Sequence, residues 1–107
     1  MKVNIDYKRS EKVNNDPNSI SYQEMTADYI NYACQAVYKD GLDGGKRRIF
    51  ARISRKLDEC IEAKGEEIEL EEAEKDFLKK LFSDDKFKPS PAFAKYIIIL
   101  EDEIASL

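Results

Sequence analysis

Four segments of the chain repeat their apolar residues every three or four positions, which is the spacing that places side chains on one face of a helix. We therefore predict helices at 26–39, 45–63, 71–83 and 91–104. In a chain of 107 residues, four such helices form a single domain, residues 1–107, around one core. The four apolar stripes are Tyr29, Ile30, Ala33, Cys34 and Val37; Ile49, Phe50, Ile53, Leu57, Cys60 and Ile61; Ala73, Phe77, Leu78, Leu81 and Phe82; and Phe93, Tyr96, Ile97, Ile98, Ile99 and Leu100.

Residues that favour helix ends support these boundaries. They are Thr26 and Asp43 as N-caps, Gly41 and Gly65 after the first two helices, and Ser90 with Pro91 at the start of the fourth. The fourth helix is apolar nearly all round, so it is either the most buried helix or part of an oligomer interface. The β-branched run at 97–99 also fits a strand, and helix and strand both stay open there.

The residues ahead of the first helix alternate apolar and polar side chains, which is typical of half-buried strands. Residues 2–9 alternate in this way, and 19–24 do so again after a turn-forming cluster at 14–18. We predict that they pair as an N-terminal β-hairpin over 2–24, packed on the helices because a lone hairpin is marginal. Alternation at 67–70 allows a short third strand. The predicted class is α+β and mostly helical.

The chain contains no His and no Trp, which excludes several chemistries. Without an imidazole there is no Ser-His-Asp or Cys-His triad, and most catalytic zinc sites are excluded as well. The glycine-rich run 41–47 lacks the spacing of a phosphate loop. Asp40 and Asp43 do not match the ligand order of a calcium loop. We predict a protein without enzymatic activity, cofactor or bound metal.

The two cysteines, Cys34 and Cys60, fall on the apolar sides of predicted helices. We interpret them as small buried side chains rather than a disulfide. No apolar run approaches the ~18 residues of a membrane span, and the N-terminus lacks the apolar core of a secretion signal. The sequence therefore predicts a cytoplasmic protein with no membrane partner.

Charge is strongly segregated along the chain, and the net charge of −4 conceals this. Residues 43–56 carry six basic side chains and one acid, whereas 57–76 carry ten acids and two lysines. On the second helix, Arg48, Arg52 and Arg55 share one stripe opposite the apolar stripe. Basic residues near the N-terminus and acidic residues near the C-terminus oppose the helix macrodipole. Local helix stability therefore does not explain this arrangement.

Three kinds of interaction could offset the unfavourable placement of these basic side chains, and the sequence leaves all three open. The stripe pairs with acids of the same chain or of a second copy, as between Arg55 and Glu59 or with the segment 66–76. Alternatively it binds the acidic surface of another protein, or it binds a nucleic acid. The candidate partner-binding residues are Lys46, Arg47, Arg48, Arg52, Arg55, Glu69 and Glu72.

The order of these features resembles a group of small proteins from tailed bacteriophages and prophages, over about residues 3–102. The features are the segment TADYI at 26–30, a glycine turn before the basic run 46–52, the acidic–Ile–acidic–Leu step at 67–70, the acidic-to-Lys helix at 74–80 and a last helix ending near 100–101. The resemblance implies a phage setting and carries over no active-site residue.

Together, the charged surface and the resemblance favour a small non-enzymatic interaction protein of the bacterial host cell. Such a protein acts by surface complementarity, because charge sets the specificity and the rate of association. Its partner is either a second copy, giving a homo-oligomer, or a host or phage protein. The alternative is a nucleic-acid-binding protein that uses the basic stripe of the second helix.

Overall fold

The structure is a computed structural model, and it describes residues 1–5 and 22–107. The described residues form two short strands and four helices, so the predicted α+β, mostly helical class is confirmed. In chain order the elements are β1 (Lys2–Asn4), α1 (Tyr22–Val37), α2 (Gly44–Glu62), β2 (Glu67–Glu69), α3 (Glu72–Ser83) and α4 (Pro91–Ala105).

The two strands form an antiparallel sheet in which Val3 lies opposite Ile68. Both side chains are buried, so the alternation seen in the sequence places the apolar face of the sheet on the helices. The short strand allowed by residues 67–70 is therefore present, as the partner of β1. Residues 22–24, the end of the predicted second strand, are helical instead, which corrects that part of the predicted hairpin.

The correction follows from the true start of α1. Residues 22–24 form its first turn, and Met25 and Thr26 are buried in line with Tyr29 and Ile30. The helical spacing thus begins before Thr26, which lies inside the helix and is not its N-cap. The rest of the predicted hairpin, residues 6–21, lies outside the described residues.

The predicted cap of α2 is present at its N-terminal end, whereas its C-terminal end is built differently from the glycine stop that the sequence indicates. Asp43 caps the helix, because its carboxylate accepts a hydrogen bond from the Lys46 N–H at 3.0 Å. At the other end, Lys64 and not Gly65 adopts the left-handed conformation, with φ of 54°. Gly65 instead lies so close to α2 that a Cβ there would be 3.1 Å from the Cys60 sulfur.

Residues 97–99 belong to α4, which settles the choice between helix and strand. The helix is not buried all round, since Ile97, Leu100 and Ile104 face the core whereas Ile98 is 49% exposed. The core lies between the four helices and one face of the sheet. Its most buried side chains are Val3, Ile5, Ile53, Leu57, Leu70, Leu78, Leu81 and Ile104.

The two cysteines are buried and are not joined in a disulfide, as predicted. Cys34 lies on the inner side of α1 and Cys60 on the inner side of α2. Among the described helices, none is long and apolar enough to cross a membrane.

Candidate functional site

The outward side of α2 carries three exposed arginines, Arg48, Arg52 and Arg55, which we call the arginine face. The opposite side of the helix buries Ile53 and Leu57 together with Cys60. Because α2 packs on α1, α3 and β2 through that buried side, the arginine face points away from the core. The structure thus brings the three predicted arginines together on one exposed surface.

None of the three guanidinium groups takes part in an ion pair or hydrogen bond within the part of the chain that the structure describes. In particular, no carboxylate oxygen of Glu59 lies within 4.0 Å of the Arg55 guanidinium. The intrahelical pair expected from the sequence is therefore not formed. The arginine face also makes no pair with the acidic segment 66–76 of its own chain.

Three carboxylates of that acidic segment, those of Glu69, Glu72 and Glu74, are engaged by other cations. Glu69 accepts a hydrogen bond from the N-terminal ammonium of Met1 at 2.6 Å, and this bond lowers the pKa of the Glu69 carboxyl. Glu72 pairs with Lys75 at 2.7 Å, which lowers the pKa of Glu72 in the same way. The two predicted acidic site residues thus stabilise local structure, and neither faces the arginines.

One basic residue of α2 does reach the acidic segment, namely Lys56, which pairs with Glu74 of α3. Sequence reasoning counted Lys56 within the basic block but did not single it out, and it missed Glu74. A signal was present: Lys56 lies three residues after Ile53, at the edge of the buried stripe. The apolar stem of a lysine at that edge lies along the core, but the acid that its ammonium meets is set by the packing of α2 on α3.

Lys46 and Arg47 lie apart from the arginine face, in the first turn of α2. The Lys46 ammonium is 2.9 Å from the Asp43 carboxylate and 5.5 Å from the centre of the Tyr38 ring. The pairing raises the pKa of Lys46 and lowers that of Asp43.

Arg47 instead lines an open cleft of about 520 Å³. The cleft is lined by Asn31, Cys34, Gln35, Tyr38, Gly41, Leu42, Arg47 and Phe50.

The outward side of α2 changes sign halfway along the helix. Glu59 and Glu62 are exposed and follow Arg55 by four and seven residues, which keeps them on the side of the arginine face. We call this second half the glutamate face. Neither glutamate side chain forms an ion pair within the described residues. A partner that covers the whole helix therefore meets positive charge first and negative charge second.

Residues 1–5 and 22–107 contain no group of three or more Cys, Asp or Glu side chains placed to hold a metal ion. Comparisons with protein-family models, with curated proteins and with solved structures give no match for this chain.

Proposed function

We propose that this chain is a non-enzymatic interaction protein that binds another protein through the outward side of α2. The observation that supports the proposal is the arginine face, whose three guanidinium groups are exposed and have no ion pair within the described residues. Each guanidinium offers five N–H donors in a planar arrangement that matches a carboxylate. A regular helix holds the three groups at fixed spacing, which favours specific recognition over loose attraction.

The change of sign along α2 favours a protein partner over a nucleic acid. From Arg48 to Glu62 the helix extends about 21 Å at its usual rise. A phosphate backbone lying along this length would be attracted by the arginine face and repelled by the glutamate face. A protein surface can carry both signs in a fixed order. The phage or prophage setting and the location in the host cell belong to the same proposal, and their support is the resemblance stated above.

A photo-cross-linking residue at position 51 tests the proposal in cells that express the chain. Ala51 is exposed and lies between Arg48 and Arg52, so a bound partner lies within reach. We expect a discrete adduct that protease degrades and nuclease does not, and that disappears in an Arg48/Arg52/Arg55→Ala variant. The same cross-linking residue at Asp76, which is exposed on α3, is the matched control and should not give this adduct.

Fluorescence anisotropy with labelled duplex and single-stranded nucleic acids tests the alternative. The purified chain and the triple-alanine variant are titrated at low and at high salt. We expect no binding that depends on the arginines. Binding that falls steeply with salt and is lost in the variant would contradict the proposal, because it is the behaviour of a phosphate-binding surface.

A further inference from the structure

The charges on the outward side of α2 are arranged in inverted symmetry about the level of Leu57. Arg55 and Glu59 lie two residues to either side of that level. Arg52 and Glu62 lie five residues to either side of it. Turning the helix end for end about this level therefore exchanges positions 52 and 55 with positions 62 and 59, whereas position 48 maps onto position 66, beyond the end of α2.

We propose that the partner of this surface is a second copy of the chain, docked through antiparallel α2 helices about a twofold axis at the level of Leu57. This proposal rests on the proposed function and names its partner. In the dimer, Arg55 of each copy faces Glu59 of the other, and Arg52 faces Glu62. Because a twofold interface makes every contact twice, these residues form four ion pairs.

Charge complementarity selects a second copy over other proteins. A partner covering α2 needs acids opposite the arginine face and bases opposite the glutamate face, at the rise of a helix. The chain offers that pattern itself, on an exposed and regular element. Antiparallel docking also places the positive N-terminal end of each helix dipole beside the negative C-terminal end of the other.

The antiparallel arrangement also explains why basic and acidic residues are segregated along α2, which is unfavourable within a single chain. Within one helix, Arg52 lies three residues from Arg55, and Glu59 lies three residues from Glu62, so like charges are neighbours. The basic half also lies toward the positive end of the helix dipole. In the antiparallel dimer, each of these charges gains an opposite charge from the second copy. The segregation that opposes helix stability therefore favours association.

The proposed interface is polar, and its polar character determines the affinity of the dimer. The large apolar side chains of α2 face the core, and the large apolar side chains that are exposed among the described residues, Tyr32 and Ile98, lie on other helices. Exposed ion pairs contribute little individually and are screened by salt. We therefore expect a weak dimer that forms at high protein concentration and low salt, with the association constant falling about tenfold or more at high salt.

Sedimentation equilibrium with charge-reversed variants tests the proposal. The acidic variant is Arg52→Glu with Arg55→Glu, and the basic variant is Glu59→Arg with Glu62→Arg. Each variant alone presents one sign of charge to its own copy, so we expect neither to self-associate. An equal mixture of the two should form a heterodimer whose association constant is at least about tenfold above that of either variant alone. The chain with all four substitutions should dimerise like the wild type.

A second charge reversal controls for net charge. Lys86 and Lys88 are exposed in the segment between α3 and α4, and their replacement by Glu changes the net charge as much as the acidic variant does. This control should self-associate like the wild type. The far-ultraviolet circular dichroism of every variant is recorded first, so that loss of association is not confused with unfolding.

Three results would overturn the antiparallel dimer: a wild-type chain that stays monomeric at low salt, an acidic variant that dimerises as well as the wild type, or a mixture that does not associate. A monomeric wild type that still gives an arginine-dependent adduct with another protein at position 51 would refute the dimer and support the proposed function. Absence of any arginine-dependent adduct would refute the proposed function as well.

Discussion

The ammonium of Lys56 donates a hydrogen bond to the carboxylate of Glu74, a side chain with no exposed surface, and so joins α2 to the first turn of α3. The ammonium also donates to the Glu69 carbonyl oxygen at 2.7 Å. The Glu74 oxygen that accepts from Lys56, Oε1, also accepts a hydrogen bond from the Glu71 N–H at 2.9 Å. The other oxygen, Oε2, is buried and has no hydrogen-bond partner within the described residues. Lys56 is therefore the cation that neutralises a buried acid.

Replacing Lys56 by Met should destabilise the protein strongly. The substitution keeps the apolar stem but leaves the Glu74 carboxylate buried without a counter-charge, which costs about 3 kcal/mol of unfolding free energy. Urea denaturation followed by circular dichroism measures the change. The matched control is Lys75→Met, because Lys75 pairs with the exposed carboxylate of Glu72. Its cost should be under about 1 kcal/mol, and equal costs for the two variants would contradict the assigned role of Lys56.

The helices could be predicted from the sequence because each buries one face and so repeats its apolar residues with helical spacing. The pairing of β1 could not be predicted in this way. Its partner β2 lies more than sixty residues away in the chain, and local alternation carries no information about such a distant partner. The prediction of a strand at 22–24 was wrong because Tyr22 begins α1, and a few residues fit both periodicities.

The candidate site shows the same division between local and non-local information. The positions of Arg48, Arg52 and Arg55 on one exposed stripe follow from helical spacing alone. Which cation would reach the acidic segment did not follow, because that depends on how α2 packs against α3. The packing turns the edge of the buried stripe, where Lys56 lies, toward Glu74. The arginines are thereby left without an ion pair within the described residues.

The ion pair between Glu69 and the N-terminal ammonium should make the stability of the sheet depend on pH. The ammonium lowers the pKa of Glu69 below its ordinary value of 4.5. A group whose folded pKa is lowered contributes stability that is complete above its unfolded pKa and is lost as the pH falls through the folded pKa. The stability difference between wild type and Glu69→Gln should therefore be constant near neutral pH and shrink below about pH 4.5.

Thermal denaturation of both proteins over this pH range measures that difference. Glu67→Gln is the control, since Glu67 is exposed on the same strand and its side chain has no ion pair within the described residues. At neutral pH, the stability of Glu67→Gln should differ from that of the wild type by less than the stability of Glu69→Gln does. A Glu69→Gln difference that grows as the pH falls would be inconsistent with the ion pair.

The end of α2 should become more stable when Lys64 is replaced by Gly. Lys64 has a φ of 54°, a left-handed conformation that costs an L-residue other than Gly about 1 kcal/mol. We expect Lys64→Gly to raise the unfolding free energy by about 0.5–1 kcal/mol. Ala63, with a φ of −81°, is the neighbouring control. Ala63→Gly should lower stability, and a loss of stability in both variants would argue against left-handed strain at Lys64.

The thiol of Cys34 should react slowly in the folded protein. Burial raises its pKa to about 11, so only about 0.1% is thiolate at pH 8, and the thiolate is the reactive form. In a Cys60→Ala variant, which leaves Cys34 as the single thiol, we expect the rate of labelling by an aromatic disulfide reagent to be at least about 100-fold below that of the same protein unfolded in urea. The folded rate should rise steadily between pH 8 and 10, because each added unit of pH increases the thiolate fraction about tenfold. Equal rates in folded and unfolded protein would show that Cys34 is not held on the inner side of α1.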